Sequence, residues 1–252
     1  MPHGYHEKDH FSPWAHLKGQ RKGFSASLNQ MYNRKDHYYK KAKAEGRASR
    51  ASYKLEQIQE KFRIVQRNDL ILDLGCAPGG WLEVLGGMVG SKGLVVGIDI
   101  LPIRISLKHN VKFIKGDIND DAAIDSLKDI IMSSVISDQS SADAKKLPIA
   151  DHRSPITGLV DVIVSDMAPN TSGVAFRDCF LSYELCTMAL DTAKKMLKEG
   201  GNFAAKIFQG KEAEDFKRDL REHFKKVSQY LPPATREGSK EIYIVALGFK
   251  SK

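Results

Sequence analysis

Long apolar runs are missing from this chain of 252 residues. Nothing in it approaches the roughly 20 consecutive apolar residues that a membrane-spanning helix needs, and the first residues lack the apolar core of a secretion signal. A soluble, cytoplasmic protein without a membrane partner is expected. Cysteine is scarce as well. Cys76, Cys179 and Cys186 are odd in number and show no C-x-x-C spacing, which excludes a disulfide framework and a thiolate zinc site and suits a reducing compartment. His3, His6, His10, His16 and His37 gather near one end without regular spacing or nearby cysteines, so they read as surface residues and no metal is expected. No internal repeat is visible at a solenoid period.

Net charge is also absent from most of the chain. Residues 1–54 carry 12 Lys plus Arg against 4 Asp plus Glu, a net of +8, which equals the formal charge of the whole chain. The remainder is neutral in sum. An excess confined to one end favours a polyanionic partner, because each phosphate neutralised releases condensed counterions. Residues 1–32 mix Gly, Pro, His and Lys without periodicity and are expected to be a flexible basic extension that orders only on a partner. Residues 33–252 are expected to form a single domain, since a chain that is 42% hydrophobic can bury one substantial core at this length. The segment from Lys35 to Lys43 interleaves basic and aromatic side chains. It reads either as a surface that pairs with phosphates and stacks on unpaired bases, or as a basic helix whose tyrosines pack on the domain.

The most informative stretch is Leu72-Asp73-Leu74-Gly75-Cys76-Ala77-Pro78-Gly79-Gly80-Trp81, where an apolar strand runs into a glycine-rich turn. Gly75, Gly79 and Gly80 permit positive φ and let main-chain N–H groups approach a ligand. Asp99 ends a second apolar run, Leu94 to Ile98, where a doubly wound domain places the carboxylate that accepts ribose hydroxyls. The phosphate-binding and dinucleotide fingerprints do not fit. Ala77 stands where the dinucleotide pattern has its second glycine, and Trp81 follows the turn where a P-loop has lysine. An adenosine-containing ligand without a pyrophosphate is expected.

Helical periodicity over Ser49 to Val65 leads into apolar runs at 70–74, 94–98, 111–114, 160–165, 202–207 and 242–247, with helix-length intervals at 79–89, 120–133, 176–198 and 211–222. This alternation predicts a mostly parallel, seven-stranded sheet with helices on both faces. A further strand near 226–231 is too close to the last run for a crossover helix, so that pair is expected to be antiparallel. The turn-rich stretch 133–158 reads as a surface loop.

Asp99, Asp117 and Asp166 each follow an apolar run, and in a parallel sheet such positions share one edge and face one crevice. Acidic groups there suit hydroxyls, amines or a cationic centre and repel a polyphosphate. An adenosyl sulfonium meets these preferences. Lys206 ends the run Asn202-Phe203-Ala204-Ala205-Lys206, where an ammonium either snorkels to the surface or belongs to a site. By position alone Glu241 is a strand-end acid and Lys54 one more charge on a basic helix.

Five separate motifs in order, Ser49-Arg50-Ala51-Ser52-Tyr53-Lys54-Leu55, Asp73 to Trp81, Ser165-Asp166-Met167-Ala168-Pro169-Asn170, Ala205-Lys206-Ile207-Phe208 and Glu241-Ile242-Tyr243, resemble those of the FtsJ/RrmJ family of RNA 2′-O-ribose methyltransferases. The resemblance covers approximately residues 33–250. It implies a Rossmann-like methyltransferase fold, S-adenosyl-L-methionine as donor with S-adenosyl-L-homocysteine as product, and catalytic roles for Lys54, Asp166, Lys206 and Glu241. With the glycine turn, it also implies a cofactor site of Gly75, Pro78, Gly79, Gly80, Trp81, Asp99, Asp117 and Asp166. Gly46-Arg47-Ala48-Ser49-Arg50 departs from the usual Gly-Tyr-Arg-Ser-Arg. The ending Pro232 to Arg236 with Glu241-Ile242-Tyr243 is similar to members that modify a uridine ribose in large-subunit ribosomal RNA, while relatives act on the tRNA anticodon loop or on mRNA caps.

RNA is then expected along a basic face of Arg34, Lys35, Lys40, Lys41, Lys43, Arg47 and Arg50, with the protein acting as a monomer. Two other classes remain at this stage. A nicotinamide oxidoreductase shares the strand, glycine turn and Asp99 but leaves Asp166, Lys206 and the basic end unexplained. A non-catalytic RNA-binding module accounts for the charge but not for the four catalytic positions.

Overall fold

Apolar runs that alternate with helix-length intervals have one compact solution, parallel strands joined by right-handed crossovers, and the chain adopts it. The computed structural model describes residues 37–138 and 158–250. In chain order the elements are α1 His37–Ala44, α2 Ala51–Phe62, β1 Leu70–Leu74, α3 Gly80–Val89, β2 Leu94–Asp99, β3 Val111–Lys115, α4 Asp121–Asp138, β4 Val160–Ser165, α5 Ala175–Met196, β5 Leu197–Phe208, α6 Lys211–His223, β6 Phe224–Tyr230 and β7 Glu241–Phe249. The strands form one seven-stranded sheet in the order β3-β2-β1-β4-β5-β7-β6. β1 to β5 pair in parallel, and β7 lies between β5 and β6, antiparallel to both.

Each face is covered by helices whose apolar stripes match the strand parity. On one face Leu55 and Ile58 of α2 and Leu82, Leu85 and Val89 of α3 pack on Ile71, Val95, Val162, Ala204, Tyr243 and Val245. On the other, Phe203 of β5 has ring centroids 6.4 Å from Phe216 of α6 and 6.0 Å from Phe224, and Phe224 packs on Phe249 at 5.3 Å. α2 stops at Arg63, which takes the left-handed conformation and returns its N–H to Gln59.

Two boundaries differ from the sequence reading. α4 continues through the start of the expected 133–158 loop to Asp138. Ser133 and Ser134 donate their hydroxyls back to the carbonyls of Asp129 and Ile130, so residues that read as turn formers stay helical. β5 begins at Leu197, not 202, because Leu197 pairs with Val160 across a register shift. Residues 139–157, the rest of that loop, and the extension 1–32 lie outside the described residues.

Phe203 is fully buried between two aromatic neighbours. Phe203→Ala is expected to lower the unfolding free energy by about 3–5 kcal/mol, read as a reduced urea midpoint at unchanged slope.

Candidate active site

The sheet reverses its winding between β1 and β4, and in open α/β sheets a crevice opens there beyond the carboxyl ends of the strands. Main-chain bonds fasten the loops that leave this edge. The Gly75 N–H donates to Ile98 O at 2.9 Å, the Gly116 N–H to Asp99 O at 3.0 Å and the Asp166 N–H to Leu74 O at 3.3 Å. Asp99, Asp117 and Asp166 therefore leave one rim, as their positions after apolar runs implied.

Lys54, Asp166, Lys206 and Glu241 converge at that rim, although they come from four elements far apart in sequence. Lys206 on β5 stands directly opposite Tyr243 on β7, and Glu241 lies two residues before Tyr243, so all three side chains share one sheet face. Lys54 reaches the same face from α2, which packs on it through Leu55 and Ile58. The Lys54 ammonium pairs with Glu241 Oε1. Lys206 Nζ lies 3.0 Å from Asp166 Oδ1 and donates to the Asp166 main-chain oxygen at 2.6 Å. Tyr243 joins the two ion pairs. Its hydroxyl donates to Asp166 Oδ1 at 2.7 Å, and Lys54 Nζ sits 5.9 Å from its ring centroid. At 6% and 8% exposure, Lys54 and Lys206 are buried cations, and each is matched by a carboxylate.

Burial acts to raise the Asp166 carboxyl, but Lys206, Lys54 and the Tyr243 hydroxyl outweigh it and hold the group below its ordinary value. Ionised Asp166 thus stabilises the fold above the ordinary aspartate range, and that contribution is lost as pH falls through the lowered folded value. Burial, with the carboxylates of Asp166 and Glu241, pushes the Tyr243 hydroxyl well above its ordinary value. It remains a donor.

Asp73, one residue before the carboxyl end of β1, is fully buried, and neither carboxylate oxygen has a hydrogen-bond partner in the structure. Burial first, then the nearby charges of Asp166 and Asp99, push it well above its ordinary value. A buried carboxyl without a donor is costly unless a ligand supplies the counter-charge. Asp73 therefore fits the cationic end of an S-adenosyl sulfonium ligand. The glycine turn fits close approach of backbone: Gly75 has φ 74° and a Cβ there would collide with Met167, while Gly79 has φ 112° and a Cβ would lie 2.7 Å from Ile105. The sequence signal for Asp73 was a lone acid inside an apolar strand, and for Tyr243 a hydroxyl-bearing residue on the same strand face as Glu241. Neither had been assigned a role.

The remaining expected cofactor residues divide. Asp99 accepts the Ala77 N–H on Oδ2 and the Leu101 N–H on Oδ1, each at 2.8 Å, which ties the glycine turn to the end of β2 and leaves each oxygen a second lone pair for a ribose hydroxyl. Asp117 turns one oxygen to the Asn119 N–H at 2.9 Å and its Nδ2 at 3.0 Å. Pro78 is half-buried and accepts the Arg104 N–H on its main-chain oxygen at 2.9 Å. Trp81 and Gly80 do not face an open cleft. Trp81 is 2% exposed, donates its indole N–H to Ala51 O at 2.8 Å and stacks at 5.8 Å on Tyr243, so it supports the Tyr243 ring from below. Gly80 is buried, and a Cβ there would lie 2.9 Å from that of Ser49, a packing constraint between the turn and the start of α2.

The residues of the expected RNA face also divide. Lys40, Lys41 and Lys43 are exposed on α1, but Tyr38 of that helix packs on Tyr53 at 5.4 Å. Arg47 is tied by ion pairs to Glu45 at 2.7 Å and Glu56 at 2.6 Å and lies over the Tyr53 ring. The Arg50 guanidinium donates to Ala234 O at 2.8 Å. Both arginines serve the fold because acidic and carbonyl acceptors lie within reach of their short loop, which charge counting does not reveal. Arg34 and Lys35 lie outside the described residues.

Asp73→Asn tests the site directly. The raised folded value of Asp73 means that wild-type stability falls as pH rises above the ordinary aspartate range toward that value, so without ligand the variant's melting temperature is expected to gain on that of wild type over the same interval. The same change is expected to weaken S-adenosylmethionine binding in calorimetry by about thirtyfold or more.

Comparison with known proteins agrees with this geometry. The model of the FtsJ-like methyltransferase family matches residues 47–249. A Ribosomal RNA large subunit methyltransferase E from Stutzerimonas stutzeri is 40% identical over 215 residues, covering 85% of this chain and 92% of that protein. A protein of the same name from Methanococcus vannielii is 39% identical over 222 residues, covering 88% and 76%. Among solved structures, one described as a ribosomal RNA methyltransferase from Plasmodium falciparum superposes with a TM-score of 0.61 at 27% identity, covering 80% of this chain and 98% of that one. A doubly wound sheet, an acid-lined rim and a match that spans residues 47–249 lead to one conclusion: the chain belongs to the FtsJ-like methyltransferase family, with S-adenosyl-L-methionine as its cofactor.

Proposed function

We propose that the protein methylates a ribose 2′-hydroxyl in RNA, at a uridine of large-subunit ribosomal RNA. The observation that carries this reading is the convergence of two buried lysine–carboxylate pairs, joined by Tyr243, at the rim where the cofactor residues lie. Relatives about 40% identical that are named for large-subunit ribosomal RNA support the substrate.

A ribose hydroxyl is a weak nucleophile, while bound S-adenosylmethionine supplies an already activated methyl group. The protein's own tasks are in-line positioning and management of one proton. An ammonium has three donors, and the two described partners of Lys206 both belong to Asp166. A third N–H remains for the substrate. Lys206 holds the 2′-oxygen through it and stabilises the charge that develops as the O–CH3 bond forms and the donor's S–CH3 bond breaks, and the hydroxyl proton leaves to solvent. Asp166 fixes the direction of that ammonium, and Tyr243 fixes Asp166. Glu241 and Lys54 form the adjoining ion pair. The exposed lysines of α1 supply phosphate contacts.

Lys206→Ala is expected to reduce radiolabelled methyl transfer to isolated large ribosomal subunits by about a hundredfold or more, with S-adenosylmethionine affinity unchanged in calorimetry. The wild-type product is expected to resist alkaline cleavage at one position, since a methylated 2′-oxygen cannot attack its phosphodiester. Transfer to tRNA and not to ribosomal subunits would overturn the substrate, and a base-methylated, alkali-labile product would overturn the reaction.

A further inference from the structure

Hydrophobic side chains at full exposure are unusual beside an active centre unless something covers them. Residues 170–177 form an unbroken exposed stretch at the end of the loop that starts from Asp166. Phe176 there is 74% exposed, with Val174 at 59% and, one helical turn on, Phe180 at 47%. The loop is not loosely held. The Asp178 carboxylate accepts the Ser172 N–H at 2.7 Å, the Ser172 hydroxyl at 2.7 Å and the Gly173 N–H at 3.2 Å. Phe176 is therefore presented on a fixed support at the first turn of α5.

Beside it lies a groove of about 530 Å³, walled by Phe176, Cys179, Gln209, Lys211, Glu212 and Lys240, within the ~300–1,000 Å³ of sites that hold small ligands. Its three strands of chain all come from the catalytic rim. Lys240 is bonded to Glu241, Gln209 is three residues past Lys206, and Phe176 ends the loop begun by Asp166. The Gln209 N–H donates to Lys240 O at 2.7 Å and binds two of these walls together. At no more than about 3.6 Å per residue, the groove opens within roughly 11 Å of Lys206. Lys211 and Lys240 are exposed and have no ion pair among the described residues, and Glu212 is the groove's one acid. The next hollow along α5 is lined by Glu212, Asp215 and Asp219 against one cation, Arg218, which is paired with Asp215, so its acidic excess disfavours a phosphate chain relative to the Phe176 side.

We propose that this groove is the docking site for the nucleotide next to the methylated one, with its base stacked on Phe176 and its phosphate held by Lys211 and Lys240. This rests on the reading of the protein as an RNA 2′-O-methyltransferase. Single-stranded RNA fits because base stacking on an exposed ring is sequence-tolerant and favourable, and because lysines at a groove edge match the flanking phosphates. The acceptor ribose is thereby gripped from outside the catalytic centre, and a stacked neighbour splays the acceptor out of its own helix.

The test uses the full chain and a ribosomal RNA fragment carrying 2-aminopurine beside the acceptor. Phe176→Ala is expected to raise KM for RNA roughly tenfold with kcat within about twofold of wild type, and Phe176→Trp to restore it. Wild type is expected to quench the 2-aminopurine emission on binding and Phe176→Ala to leave it unquenched. Lys211→Ala with Lys240→Ala is expected to lower the slope of log affinity against log salt by about one. Unchanged KM and quenching in Phe176→Ala would overturn the proposal. So would a defect seen on assembled ribosomal subunits but not on naked RNA, which would assign the patch to a ribosomal protein. A wild-type protein that forms no 2′-O-methyl product would instead defeat the functional reading beneath it.

Discussion

One carboxylate organises the site. Asp166 receives the Lys206 ammonium on Oδ1 and on its main-chain oxygen, and the Tyr243 hydroxyl on the same Oδ1. Through Tyr243 it is linked to Trp81 below and to Lys54 beside it, and Lys54 closes on Glu241. The attraction of two buried ammoniums overcomes the desolvation that would otherwise neutralise the acid. A buried pair of this kind adds little net stability but is costly to break from one side. Its value is directional, because a lysine held by two acceptors has its remaining donor aimed in a set direction.

Asp73 makes the complementary case. Asp166 is satisfied by the protein, and Asp73 is left without a partner in the same rim. Stability is withheld at a position that suits a cationic ligand, which is the usual relation between a strained or unsatisfied group and a binding site. The two acids also oppose each other with pH. Asp166 contributes above the ordinary aspartate range, and Asp73 costs stability as pH rises through its raised value.

Much of this was legible in the residues. Apolar runs marked six of the seven strands, and acids after those runs marked the rim, because both follow from one-dimensional periodicity. The convergence of Lys54 and Glu241 was not legible from position, since it depends on β7 entering between β5 and β6 and on α2 packing across that pair. It came from the family resemblance. Charge counting could not show the partners of Arg47 and Arg50, because the acceptors Glu56 and Ala234 become neighbours only in the fold. Trp81 was ambiguous for a related reason. A large aromatic after a glycine turn can line a cleft or support its floor, and only the 2% exposure and the bond to Ala51 decide between them. Phe176 had no signal at all, because exposure of a single aromatic on a helix is set by what fails to pack on it.

The state of Asp166 can be read by following its side-chain carboxyl carbon by NMR during an acid titration, in wild type and in Lys206→Met. The carboxyl is expected to titrate below the ordinary aspartate range in wild type and to move upward in the variant, as burial prevails once the nearer ammonium is gone. A wild-type carboxyl that titrates at or above that range, or one indifferent to the loss of Lys206, would contradict the ion-paired centre on which the site is built.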